Sequence, residues 1–184
     1  MLLLLLAWLP GSVLAFTLDD LQARLNRTDA LAGRFEQQRH LADLDTRLTS
    51  RGHYRYERGE RLVWVLETPI QDRLEFTPGS VEDLDAAHGE RRGRDQVAAM
   101  LLGLLAGDWR ALNERFEIEL SGTAESWQVE LVPRSAALRE RLTRIQLAGS
   151  HYLDRLTWQA ANGDMLDVRF FDQHPPAEGE DATP

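Results

Sequence analysis

TRLTSRGHYRYERGERLVWVLE, residues 46–67, is the stretch whose reading decides the fold. Tyr54, Tyr56 and Arg58 share one parity, the chain turns at Gly59-Glu60, and Leu62, Trp64 and Leu66 share one parity beyond the turn. A period of two sends successive side chains to opposite faces, so the stretch reads as two adjacent hairpin strands. Upstream, LAGRFEQQRHL from Leu31 carries Leu31, Gly33 and Phe35 on one side and Arg34 and Glu36 on the other, and ends in a polar turn around Asp43-Leu44-Asp45. Downstream, Pro69 breaks the Trp64 strand and DRLEFT sets Leu74 and Phe76 on one face of the next.

Alternation resumes in RFEIEL, which turns at Ser121-Gly122 into SWQVELVP, where Trp127, Val129 and Leu131 share parity. It continues in TRIQLAG, with Ile145 and Leu147, and in HYLDRLTWQ, where either Leu153 or, by the opposite parity, Leu156 and Trp158 face inward. MLDVRFFD follows a tight Asn162-Gly163 turn, the strongest short-range hairpin signal. Helical spacing occurs in two places. Thr17 is placed to cap a helix over about Leu18 to Asn26, with Asp20 in the capping-box position and Leu18, Leu21 and Leu25 on one face. From Asp95 to Leu105, residues Val97, Met100, Leu101, Leu104 and Leu105 make a broad apolar face that Trp109 and Leu112 extend. Between these regions, Thr77 to Arg94 reads as a mobile loop. Its Glu82-Asp83-Leu84-Asp85 lacks the alternating ligands and glycine of a calcium loop. Its Arg91-Arg92-Gly93-Arg94 reads as solvated, with docking to an acidic partner as the alternative.

The fold expected is α+β and mainly β: nine or ten strands in hairpin order, forming a curved antiparallel sheet with one face to bury. Residues 1–15, MLLLLLAWLPGSVLA, read as a signal peptide ending at a small-residue cleavage site, too short in its apolar core to span a bilayer. Residues 16–172 make one domain, and residues 173–184 an acidic, Pro-rich tail expected to be disordered. The chain has no cysteine, which removes disulfides, thiol catalysis and a lipid-bearing Cys. Its net charge of −9 argues against nucleic acid. The five histidines show no metal-binding spacing, so no metal or cofactor is expected. Ser150, His151 and Asp154 lack a nucleophile elbow, and neighbours on a strand point apart, so no hydrolase is read from them.

The apolar parity of these strands collects Phe35, Tyr54, Tyr56, Leu62, Trp64, Leu66, Leu74, Phe76, Phe116, Ile118, Leu120, Trp127, Val129 and Leu131 on one concave face. Two short helices cover only part of such a face, and the polar tips of Tyr54, Tyr56, Trp64 and Trp127 are costly to bury dry. One solution is an apolar trough with room for acyl chains. The alternative is that sheet and helices close over a full core.

The run Phe35-Glu36-Gln37-Gln38, then Gly52-His53-Tyr54-Arg55-Tyr56-Glu57-Arg58, Arg61-Leu62-Val63-Trp64 and Thr68-Pro69, resembles the N-terminal half of LolA, the periplasmic outer-membrane lipoprotein carrier family. The likeness continues more loosely through Phe116, Trp127, Leu131-Val132-Pro133, Asn162-Gly163-Asp164 and Phe170. It implies an unclosed β-barrel with a helical lid over an apolar cavity. By the same resemblance the protein is a monomeric, non-enzymatic, periplasmic carrier. It would take a lipidated cargo from an inner-membrane transporter to an outer-membrane acceptor. The resemblance further implies lipid contact for the concave residues above and for Met100, Leu101 and Leu104 on the lid, and a lid-gating role for Arg58. Parity independently puts Arg58 on the concave side, where its guanidinium needs carbonyl or carboxylate acceptors; a hairpin-end residue in solvent is the alternative. The sequence departs from the family pattern in Arg58-Gly59, where the family usually has Arg-Pro, and in the polar loop after Phe76. Those departures leave open a carrier for a non-protein lipid or polyene product, and an envelope-stress sensing or structural periplasmic domain.

Overall fold

The computed structural model describes residues 15–77 and 109–177. Helix α1 (Leu18–Leu25) leads into strands β1 (Ala30–Leu41), β2 (Thr46–Glu57), β3 (Arg61–Thr68) and β4 (Asp72–Phe76). Helix α2 (Trp109–Arg115) then precedes β5 (Phe116–Gly122) and β6 (Trp127–Pro133). The short α3 (Ala136–Arg139) is followed by β7 (Leu142–Gly149), β8 (Leu153–Ala160) and β9 (Met165–His174).

All nine strands join one antiparallel sheet in the order β4-β3-β2-β1-β9-β8-β7-β6-β5. The first and last strands pair at its middle, β4 and β5 stand at the two ends of this order among the described residues, and the sheet is not closed. Turn chemistry explains the hairpin order. Asp45 takes the left-handed conformation (φ 43°) after a single 3-10 turn over Ala42–Leu44, as a short polar side chain can. Between β8 and β9, the Asn162 side chain accepts from the amide of Asp164 (3.1 Å). Asp164 Oδ1 in turn accepts from the amide of Ala42 (2.9 Å), tying this turn to the β1–β2 turn.

Parity places the core. In β1, Leu31, Gly33 and Phe35 are buried; in β2, Gly52, Tyr54 and Tyr56; in β6, Trp127, Val129 and Leu131. Strand β8 resolves both parities left open above, because a bulge pairs Gly149 with Leu153 and Ala148 with Arg155. The extra residue turns both Leu153 and Leu156 inward, and both are buried. A second irregularity, between β1 and β9 with Asp172 at φ 52°, carries the last strand on to His174. Gln173 and His174, placed in the acidic tail by the sequence, belong to β9, and Gln173 is bonded into the sheet; residues 178–184 lie outside the described residues. Strand β3 is buried on both faces, with Val63 and Val65 flanked on the convex side by Arg55 and Glu75 and by His53 and Arg73.

Glycine is required where backbones meet. A Cβ on Gly52 would lie 1.8 Å from the Val65 carbonyl oxygen and 3.0 Å from the Phe35 ring, at the bulge where β2 and β3 shift register.

Candidate functional site

Helix α1 lies over the concave face and starts with the capping box read from the sequence. The Thr17 hydroxyl accepts from the amide of Asp20 (3.2 Å), and Asp20 Oδ2 accepts from the amide of Thr17 (2.9 Å). The Thr17 hydroxyl also donates to Asp20 Oδ2 (2.6 Å), and this bond first, then that from the Thr17 amide, holds the Asp20 carboxyl below its ordinary range. Leu21 and Leu25 are buried in the same core cluster as Leu31, Phe35, Trp64 and Trp127.

Two arginines fasten the helix. Arg58 Nη2 donates to the carbonyl of Leu25, the last helical residue, and to that of Thr28, both at 2.8 Å. Its Nε lies 3.4 Å from Asp29 Oδ1, close enough for an ion pair but without hydrogen-bond alignment. A helix C-terminus leaves its last carbonyls without partners and carries partial negative charge, which a guanidinium satisfies on both counts. Arg24, on α1 itself, donates to the carbonyls of Ala124 and Ser150 (2.9 Å for the latter), joining the helix to the β5–β6 and β7–β8 turns. Sequence reading did not single out Arg24. Its acceptors lie 100 and 126 residues away, and no local signal announces them.

The face beneath is aromatic and close-packed. The Phe35 and Trp64 rings stack with centroids 3.8 Å apart. Phe170 stands edge-on to Tyr54 at 5.4 Å and to Trp64 at 6.1 Å. Of the polar tips in this cluster, those of Tyr54 and Trp127 are paired, while the Tyr56 hydroxyl and Trp109 Nε1 are buried without a hydrogen-bond partner among the described residues. The Tyr54 hydroxyl donates to Gln173 Oε1 (2.7 Å), whose amide nitrogen donates to the Leu153 carbonyl (3.0 Å). Trp127 Nε1 donates to the Ser150 carbonyl (2.7 Å). Burial, with the nearby Tyr152 and Asp154, pushes the Tyr54 phenol far up. Phe35, Tyr54, Tyr56, Leu62, Trp64, Leu66, Phe76, Phe116, Trp127 and Val129 belong to this cluster, with Leu74 and Ile118 packed at its margin. Met100, Leu101 and Leu104, like the loop of residues 78–94, lie outside the described residues.

Among the described residues, these side chains leave little space between them. The space left among Leu31, Tyr54, Leu62, Trp64, Leu153, Phe170 and Gln173 is ≈ 10 Å³, at the lower limit for one water and far below an acyl chain. The lid side of the expected apolar cavity, residues 78–108, lies outside the described residues. Ring stacking and the two leucines of α1 occupy the concave side among the residues that are described. The larger space is outside the core. A cleft of ≈ 890 Å³ runs along the rim, lined by Arg24, Arg27, Thr28 and Asp29 at the end of α1, by Glu125, and by His151 and Tyr152. Within it, Ser150 Oγ donates to Asp154 Oδ2 (3.0 Å) and the His151 ring stands edge-on to Tyr152, so Ser150, His151 and Asp154 form no relay.

The family model for outer membrane lipoprotein carrier proteins of the LolA-like type matches residues 11–156. The chain belongs to that LolA-like family. No curated protein shows a matching sequence. Among solved structures, a LolA superfamily protein of Nitrosomonas europaea is 10% identical, covering 85% of this chain and 91% of its own, with a TM-score of 0.39. A putative outer membrane lipoprotein-sorting protein domain of Vibrio parahaemolyticus is 8% identical over 89% of this chain and 92% of its own, with a TM-score of 0.44. A DUF1329 family protein of Desulfovibrio piger is 10% identical over 89% and 93%, with a TM-score of 0.40. At such scores membership rests on the family model alone. LolA-like carriers are generally non-enzymatic and periplasmic, and among the described residues no helix is long and apolar enough to cross a membrane.

Proposed function

We propose that this LolA-like protein is a periplasmic carrier that shields the acyl chains of a lipidated cargo on the way from an inner-membrane donor to an outer-membrane acceptor. The observation that carries this reading is α1. A helix closes a continuous aromatic face, and one arginine of the sheet holds its end by two backbone carbonyls. Between the described side chains of this face there is little room for a guest, so uptake beneath α1 requires the helix to lift and the Arg58 contacts to break.

The magnitudes allow it. Exposing Leu21 and Leu25 costs about 1.5–3 kcal/mol each. Breaking two charge-assisted hydrogen bonds costs about 1.5–3 kcal/mol each. Burying an acyl chain returns about 0.8 kcal/mol per CH₂, so a chain of about fifteen methylenes returns about 12 kcal/mol, which offsets these terms; the Arg24 contacts to the turns add to the cost if they break as well. Residues that leave one another when the helix lifts, such as Phe35 and Trp64, would then contact the chain.

A second reading is favoured by the filled core itself: a sensing or structural domain that reuses the sheet needs no opening. Purification of the chain from the periplasm, followed by mass spectrometry of the co-purified lipid, separates the two. The carrier reading expects an acylated molecule in stoichiometric amount. An empty protein that also fails to bind acyl probes after delipidation would leave the structural reading. The identity of the bound lipid also distinguishes a lipoprotein from a polyene or other non-protein cargo.

A further inference from the structure

Tyr56 is 1% exposed, yet its hydroxyl has no hydrogen-bond partner among the described residues. Tyr54 and Trp127, the comparable tips on the same face, both have one. A buried hydroxyl without a partner is uncommon in folded proteins and costs free energy its surroundings do not return. Tyr56 lies between Leu31 and Leu62 in the strand register, so its ring is on the apolar face. Its tip is close enough to Arg58 and Asp29 for both charges to act on it, while burial, the largest influence, pushes its pKa up and keeps it a proton donor. The hydroxyl therefore stands where the greasy face meets the latch. Thr28 and Asp29, which contact Arg58, also line the rim cleft.

An acylated molecule has the same order of parts. Its hydrocarbon ends in an ester or amide carbonyl, a strong acceptor with no donor, and polar groups follow. We propose that the Tyr56 hydroxyl receives that carbonyl, so that the face selects ester- or amide-linked acyl chains over ether-linked or plain hydrocarbon ones. The proposal rests on the carrier reading. With α1 lifted, the chain lies along Phe35 and Trp64, its carbonyl accepts from Tyr56, and its polar end enters the cleft between Arg27 and His151. The hydroxyl, unsatisfied in the empty protein, becomes satisfied in the loaded one.

The test compares two ligands that differ in the carbonyl alone, monopalmitoyl glycerol and hexadecyl glyceryl ether, by calorimetric titration of the purified full chain. The wild-type protein should prefer the ester by about fivefold, the worth of one neutral hydrogen bond. Tyr56→Phe should bring the ratio to about one and leave the Tm of the empty protein unchanged or raised, since it removes an unpaired hydroxyl. Tyr54→Phe, which removes a paired hydroxyl, should lower Tm and so calibrates that readout. An ester-to-ether ratio unchanged by Tyr56→Phe overturns the proposal. So does a Tm drop as large as that of Tyr54→Phe, which would mean that the hydroxyl already has a partner in the empty protein. If wild type binds neither lipid, the carrier reading falls and takes this one with it; equal binding of both lipids removes the carbonyl selection alone.

Discussion

Replacing Arg58 with leucine removes the two hydrogen bonds at 2.8 Å that hold the end of α1, along with the ion pair to Asp29. Two charge-assisted bonds total about 3 kcal/mol at the low end of their range. Because the Arg58 side chain is 24% exposed, water replaces part of this, and about 2 kcal/mol is the better figure. These contacts belong to the closed state alone. Removing them shifts the closed-to-open equilibrium by about 30-fold toward open and tightens apparent acyl affinity by up to the same factor. The variant should therefore take up cargo and release it poorly. Two assays read this: titration with a fluorescent fatty acid, and hydrogen exchange of the amides of residues 21–26. Exchange should speed up in Arg58→Leu, and less so in Arg58→Lys, whose ammonium keeps the charge without the planar fork. Arg24 still ties the helix to the turns, so the fold should persist. Unchanged affinity together with unchanged exchange in Arg58→Leu would refute the latch.

Further outcomes follow from other contacts. Gly52→Ala should lower stability by about 2–4 kcal/mol, read as a fall in the urea midpoint, because its Cβ would meet the Val65 carbonyl at 1.8 Å in a close-packed sheet. A wild-type midpoint in that variant would show that the bulge relaxes freely. Asp20 has its folded pKa depressed below the ordinary 3.8, first by the Thr17 hydroxyl and then by the Thr17 amide, so its contribution is present above that value and lost as pH falls through the folded pKa. Protection of the first-turn amides of α1, taken as the ratio of intrinsic to observed exchange at each pH, should accordingly fall below about pH 3.8 and hold between about pH 5 and 8. Thr17→Ala should remove most of that acid-sensitive step and cost α1 about 1 kcal/mol.

Much of the sheet is legible because parity is a local property. The alternation of Tyr54 and Tyr56, of Leu62, Trp64 and Leu66, and of Trp127 and Val129 survives folding unchanged. The capping box at Thr17 and Asp20 is equally local. What sequence reading missed depends on contacts between distant segments. The bulge that turns both Leu153 and Leu156 inward has no glycine or proline within β8 itself; Gly149, opposite it on β7, reads in the sequence only as the end of a strand. Gln173 looks like the first residue of a polar tail until the shift at Asp172 aims it at Tyr54. Counting apolar residues could not show whether the concave face stands open. That outcome was decided by Phe35, Trp64, Tyr54 and Phe170 finding one another at stacking distance. For Arg58, parity showed that acceptors were needed on the concave side, and three-dimensional structure supplied which: the carbonyls ending α1.

The most direct measurement of the central claim, that the aromatic face parts beneath α1 to take an acyl chain, is photo-crosslinking with a palmitoyl probe bearing a diazirine at its far end, followed by peptide mapping. Labelling should fall on peptides containing Phe35, Trp64 and Val129 and be competed by unlabelled palmitate. Labelling confined to the convex strands and the rim, with the concave peptides untouched, would contradict it.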